Sequence, residues 1–171
     1  MGFEVEVKAP CLKDIARRLA EAEAEFIREE RQDDAYFNHP ARDFKVTDEA
    51  LRIRTIGEKI FLTYKGPKLS KRTKMREEYE VPVGKGIHEI LTRLGFRQSL
   101  TVSKTRRYYR LEGFDVCVDE VEGLGAYIEV ESPDTADEEK ILVLMERLGL
   151  SPASATTKSY LELIEEKAKR T

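Results

Sequence analysis

The sequence predicts an α+β fold. A β-sheet interrupted by helices carries apolar residues on one face and charges on the other, and it curls so that the charged face lines a concave or closed interior. Three observations predict this. Stretch after stretch alternates apolar and charged residues, which puts the two kinds on opposite faces of a strand. Amphipathic helical stretches lie between them and need an apolar surface to cover. The charged faces are nearly all carboxylate, ammonium and guanidinium, whereas a wetted face usually mixes in Thr, Ser and Gln.

The elements follow in order. Phe3 to Lys8 alternates as a strand and Pro10 stops it. From about 12 to 31, Leu12, Ile15, Leu19, Ala22 and Phe26 recur at helical spacing. Asn38 and Pro40 mark turns, with short strands around Tyr36, at 51–56 and at 59–65, the last two joined at Gly57-Glu58. Gly66-Pro67 ends that run, and the basic stretch 68–74 reads as a solvated loop or as a cationic flap over an anionic ligand. Residues 76–83 alternate again, and a helix from about 87 to 94 closes at Gly95. Strands at 99–111, 114–121 and 126–131 are followed by an amphipathic helix at 137–148, closed by Gly149, and a last helix from about Thr156. The whole of 1–171 reads as one domain, with two pseudo-repeats at about 1–75 and 76–171. Each begins on an ExE-bearing strand, Glu4/Glu6 and then Glu78/Glu80, and runs into a helix.

Composition excludes several functions. Charged residues are 37% of the 171, but 30 Lys and Arg meet 33 Asp and Glu for a net charge of −3. A protein that binds nucleic acid through its backbone would show a basic excess, so nucleic acid is not an expected partner. No apolar run is long enough to span a bilayer, and the N-terminal MGFEVEVKAP puts carboxylates where a signal peptide needs an apolar stretch. The two cysteines, Cys11 and Cys117, form no ligand cluster and read as reduced thiols in a cytoplasmic protein.

Alternation groups the charges. Glu4, Glu6 and Lys8 share a face, as do Arg52 and Arg54; Lys65 lies away from Leu62 and Tyr64. Arg76, Glu78 and Glu80 align, Lys104 aligns with Arg106, Asp119 lies opposite Val118, and Glu129 and Glu131 point away from Ile128 and Val130. Carboxylates two apart on a strand repel unless a cation sits between them, and clustered Arg and Lys require an anion. Carboxylates without His or Cys favour Mg²⁺ or Mn²⁺ over Zn²⁺. A metal–polyphosphate complex satisfies both clusters. Arg107 falls on the outer face, and His39 and His88 read as structural and surface residues.

The motifs, taken in order, are EVEVK at 4–8, YFNHPARDF at 36–44, TDEALRIR at 47–54, TYKGP at 63–67, REEYE at 76–80, SKTRR at 103–107, VDEVEGLGAYIEVE at 118–131 and KSYLELI at 158–164. This series resembles the CYTH, or triphosphate tunnel metalloenzyme, superfamily, and YFNHP with GLGAYIEVE resembles its class IV adenylate cyclase (CyaB-type) branch. The resemblance implies an eight-stranded antiparallel β tunnel with helices outside, acting on ATP or another triphosphate with divalent metal. It implies Glu4, Glu6, Glu129 and Glu131 as metal ligands, joined by Asp119 as ligand or base. Lys8, Arg52, Arg54, Lys65, Arg76, Lys104, Arg106 and Lys158 would bind phosphate. Asp119, Lys65 and Arg106 would be catalytic, and Glu78 and Glu80 would line the tunnel. A homodimer is implied by resemblance alone. Hydrolysis of tripolyphosphate, thiamine triphosphate or a nucleotide in the same tunnel, and non-catalytic binding, are the alternatives.

Overall fold

The computed structural model describes residues 2–69, 74–132, 134 and 137–170, the side chains of 2–4 and 74 excepted. Eight antiparallel strands close into a barrel: β1 (Gly2–Pro10), β2 (Glu25–Asn38), β3 (Ala50–Ile56), β4 (Lys59–Lys65), β5 (Lys74–Val83), β6 (Arg97–Leu111), β7 (Phe114–Val121) and β8 (Gly125–Ser132). Their order around the barrel is β1-β5-β4-β3-β2-β6-β7-β8. The helices α1 (Ile15–Glu21), α2 (Phe44–Thr47), α3 (Ile87–Arg93), α4 (Glu138–Arg147) and α5 (Tyr160–Arg170) lie outside.

The apolar core sits outside the barrel wall, between sheet and helices. Val5, Val7, Val116, Val118, Ile128 and Val130 point outward and pack against Ile15 and Leu19 of α1 and Ile141, Leu144 and Met145 of α4. Burying each such side chain contributes about 1.5–3 kcal/mol. A second cluster, Phe37, Phe44, Leu51, Ile53 and Leu91, joins α2 and α3 to the far side of the barrel. The same alternation turns Lys8, Arg52, Arg54, Arg76, Lys104, Arg106 and Glu129 inward, all of them buried.

Two element boundaries differ from expectation. The helix expected over 12–31 is α1 alone. Glu23 adopts a left-handed backbone (φ 58°), the chain turns, and residues 25–38 form a strand paired along its length with β6. Helical periodicity is real as far as Ala22, but β2 carries Gln32 and Asp34 fully buried on its inner face, so no apolar alternation marks it as a strand. The short strand expected around Tyr36 is the end of β2. The last helix begins at Tyr160, because Thr156 instead forms an isolated bridge to Lys8 of β1. Of the basic 68–74 stretch, residues 70–73 and the Lys74 side chain lie outside the described residues.

Candidate active site

The strand order divides the inward charges into two walls. The arc β6-β7-β8-β1 carries Lys104 and Arg106, Asp119, Glu129 and Glu131, then Glu6 and Lys8. The arc β2-β3-β4-β5 carries Asp34, then Arg52 and Arg54, Lys65, and Arg76, Glu78 and Glu80. A cavity of about 740 Å³ lies between them, lined by all of these except Asp34 and Asp119.

On the first wall, antiparallel register sets Glu6 opposite Glu131 and Lys8 opposite Glu129. The carboxylates of Glu6, Glu129 and Glu131 each present an oxygen within 4.8 Å of the others. Three converging carboxylates with no imidazole or thiolate among them suit a hard, oxygen-seeking dication. Lys8 Nζ lies 2.7 Å from Glu129 and 3.1 Å from Glu6, and Arg106 touches Glu129 and lies 3.3 Å from Glu131, so cationic charge already converges on this trio. Burial alone would push the Lys8 ammonium down, but Glu129 and Glu6 outweigh it and hold its pKa well above the ordinary lysine range. The Glu4 side chain lies outside the described residues.

Asp119 is fully buried, and its oxygens are occupied. Arg106 donates to both of them, from Nε at 2.7 Å and from Nη2 at 2.5 Å; Tyr160 donates to Oδ2 at 2.7 Å, and Lys104 Nζ is 3.5 Å away. It stands outside both the carboxylate trio and the cavity lining. In this arrangement Asp119 orients Arg106 through a bidentate pair. Burial, followed by the charge of Arg106, pushes the Lys104 ammonium down to about 8 despite Asp119.

On the second wall, Arg54 donates to Asp34 through two 2.7 Å bonds. Burial would raise the Asp34 carboxyl, but Arg52 and Arg54 hold it well below the usual range. Arg52 lies 3.5 Å from Glu80 and 3.7 Å from Asp34, and Lys65 lies 2.6 Å from Glu78. Arg76 is buried with Nη2 3.3 Å from Asp48, and its Nε has no partner among the described residues. A buried guanidinium held this loosely is incompletely satisfied, which favours an anionic ligand.

Lys158 is not brought to the cavity. Its ammonium pairs with Glu166 on the outer side of α5, and only its carbonyl turns toward Lys8 Nζ, at 3.4 Å. Arg107 points outward to Glu29 at 2.6 Å, as alternation predicts. His39 accepts from the Ala41 amide in its own turn and packs on Phe44 and Phe96. Sequence reading missed Asp34 and Gln32, hidden in a strand taken for helix. It also missed Tyr160, although this residue lies in the KSYLELI motif.

A family model described as the CYTH domain matches residues 2–160. The chain belongs to the CYTH domain family. A Methanocaldococcus jannaschii relative, named as a candidate adenylate cyclase, MJ0240, is 38% identical over 168 residues, 94% of this chain and 96% of that one. The adenylate cyclase CyaB of Aeromonas hydrophila is 32% identical, with 96% of this chain and 90% of that one covered. Among solved structures, the PH1819 protein of Pyrococcus horikoshii superimposes with a TM-score of 0.87 at 41% identity, covering 96% and 99% of the two chains. CYTH triphosphate tunnel enzymes are generally divalent-metal dependent. No helix among the described residues is long and apolar enough to cross a membrane.

Proposed function

We propose that this CYTH protein is a class IV adenylate cyclase that holds metal–ATP in the barrel and converts it to cyclic AMP and pyrophosphate. The observation that carries the reading is a converging carboxylate trio facing a guanidinium and ammonium wall across one cavity. The named cations and carboxylates of the two walls nearly balance, so a polyphosphate entering alone would leave a large uncompensated negative charge. A metal–triphosphate complex brings much of its own compensation, and the two walls can divide it between them. Glu6, Glu129 and Glu131 would hold Mg²⁺ or Mn²⁺, which when bound supplies Lewis-acid polarisation of phosphate oxygens.

The chain's own residues orient and stabilise. Arg52, Arg54, Lys65 and Arg76 on one wall, with Lys8, Lys104 and Arg106 on the other, grip the phosphates along the cavity and fix the in-line arrangement. The ribose 3′-hydroxyl oxygen bonds to the α-phosphorus, the bridge to the β-phosphate breaks, and the hydroxyl proton passes to solvent. Charge growing on pyrophosphate falls among groups already in place, so little reorganisation accompanies the step. Asp119 keeps Arg106 aimed. The protein acts as one domain with two halves of similar plan, as a cytoplasmic homodimer with no membrane or nucleic-acid partner; its two cysteines, both free, suit a reducing compartment.

Hydrolysis of a triphosphate in the same cavity is the second reading, because the lining charges select a polyphosphate regardless of what it carries. Product analysis with ATP, tripolyphosphate and thiamine triphosphate, each with Mg²⁺ and Mn²⁺, separates the two. Cyclic AMP from ATP, lost in Glu129→Gln together with Mn²⁺ binding, is the expected result. Phosphate without cyclic AMP moves the assignment to a triphosphatase, and tight binding with no product moves it to a binding module.

A further inference from the structure

The phosphate-gripping cations need something that holds them in place without neutralising them. Carboxylates orient a lysine but compete with the ligand for its charge. An aromatic face also attracts an ammonium, and leaves the charge available to an anion. Tyr160, the first residue of α5 and 5% exposed, presents such a face to the cavity. Lys8 Nζ lies 4.4 Å from its ring centroid and Lys104 Nζ lies 4.9 Å from it, although these lysines come from different strands. The phenol donates to Asp119 at 2.7 Å, and Asp119 is the carboxylate that grips one edge of Arg106 through both of its oxygens. Tyr127 meets the ring edge-on, with centroids 5.5 Å apart. The segment leading into Tyr160 is itself tied down, since Thr156 N donates to the Lys8 carbonyl at 2.8 Å.

We propose that Tyr160 is a positioning residue for the phosphate site: its ring holds Lys8 and Lys104, and its hydroxyl, through Asp119, holds Arg106. The proposal rests on the polyphosphate reading above. Ring and hydroxyl do separable work. Tyr160→Phe keeps the ring surface under both lysines and removes only the bond to Asp119, whereas Tyr160→Leu removes both. Lys104 depends on the ring most, because among the described residues its nearest carboxylate oxygen is that of Asp119, at 3.5 Å.

The test is calorimetric titration of the protein with tripolyphosphate in excess Mg²⁺, alongside steady-state kinetics with metal–ATP. Wild type binds; Tyr160→Phe binds within twofold of wild type but loses about fivefold in kcat with KM unchanged. Tyr160→Leu weakens tripolyphosphate binding about tenfold. Adding Lys104→Met to Tyr160→Leu costs less than the two single effects combined, because both remove the same interaction. A purely structural residue would lower the melting temperature without splitting KM from kcat, and its effect would add to that of Lys104→Met. Either result overturns the proposal, and the Tyr160→Phe split decides it even where Tyr160→Leu folds poorly. Unchanged binding by Tyr160→Leu overturns it while leaving the polyphosphate reading standing. No binding by wild type overturns both.

Discussion

Lys104 shows how far a single side chain departs from its solution chemistry once buried among like charges. Its ammonium is pushed down to about 8, first by burial and then by Arg106, and Asp119 recovers only part of the loss. Its charge therefore fades as pH rises through 8. Affinity for tripolyphosphate in excess Mg²⁺ is expected to fall between pH 7 and 9 in the wild type, more steeply than in Lys104→Arg, whose guanidinium stays charged over that range. Ionisation of the ligand itself affects both proteins equally, so the difference between the two pH profiles reports Lys104; identical profiles would refute the assignment. Alternation alone placed Lys104 and Arg106 on one face and Arg107 on the other, and the structure agrees. Asp119 also faced the right way. What alternation could not show is that Arg106, Tyr160 and Lys104 would occupy it, because those partners come from other elements.

Among the elements, those with an apolar outer face were legible. β1, β3, β4, β7 and β8 alternate because helices or neighbouring strands bury one side, and α4 shows the matching stripe. β2 was not legible past α1, since its buried residues are Gln32 and Asp34 and its N-terminal half is charged on both faces. The joint between α2 and β3 carries its own prediction. Glu49 accepts from Arg42, Thr47 and Tyr64, and its side chain is only 8% exposed. Burial pushes its carboxyl up, but these hydrogen bonds outweigh that and hold it down at about 2, well below the ordinary glutamate range. A depressed carboxylate stabilises the fold fully above the unfolded pKa and loses that contribution as pH falls from about 4.5 toward 2. Glu49→Gln is expected to cost about 1–2 kcal/mol near neutral pH, the scale of hydrogen bonds to a charged acceptor after screening. It also flattens the acid limb of the stability curve, which urea unfolding at pH 7 and pH 3 would reveal.

At the scale of the molecule, the barrel inverts the usual arrangement, with apolar packing outside the wall and compensated charge within it. Such an interior is costly to desolvate and contributes little net stability when its partners merely neutralise one another. A ligand that engages both walls should therefore stabilise the fold markedly. At a hundredfold excess over Kd, mass action contributes about 2.7 kcal/mol, which for a domain of this size raises Tm by about 5–10 °C. Differential scanning calorimetry with tripolyphosphate and Mg²⁺ measures this, and an unmoved Tm under saturating ligand would contradict a shared site.

Local pattern alone specifies which face of each legible strand is charged, the apolar stripes of the helices that cover the other face, and the order of the CYTH motifs. These are properties of period and spacing, and they survive without knowledge of what lies across the barrel. Which charges meet depends instead on how the barrel closes. Closure in the order β1-β5-β4-β3-β2-β6-β7-β8 gathers the carboxylate trio on β8 and β1 and sets the arginines of β3 on the other arc. It seals Asp119 behind Arg106, turns Lys158 away, and brings Tyr160 from the far end of the chain beneath Lys8. Pairing between distant strands depends on long-range register and on the seat of α5, which no local pattern encodes.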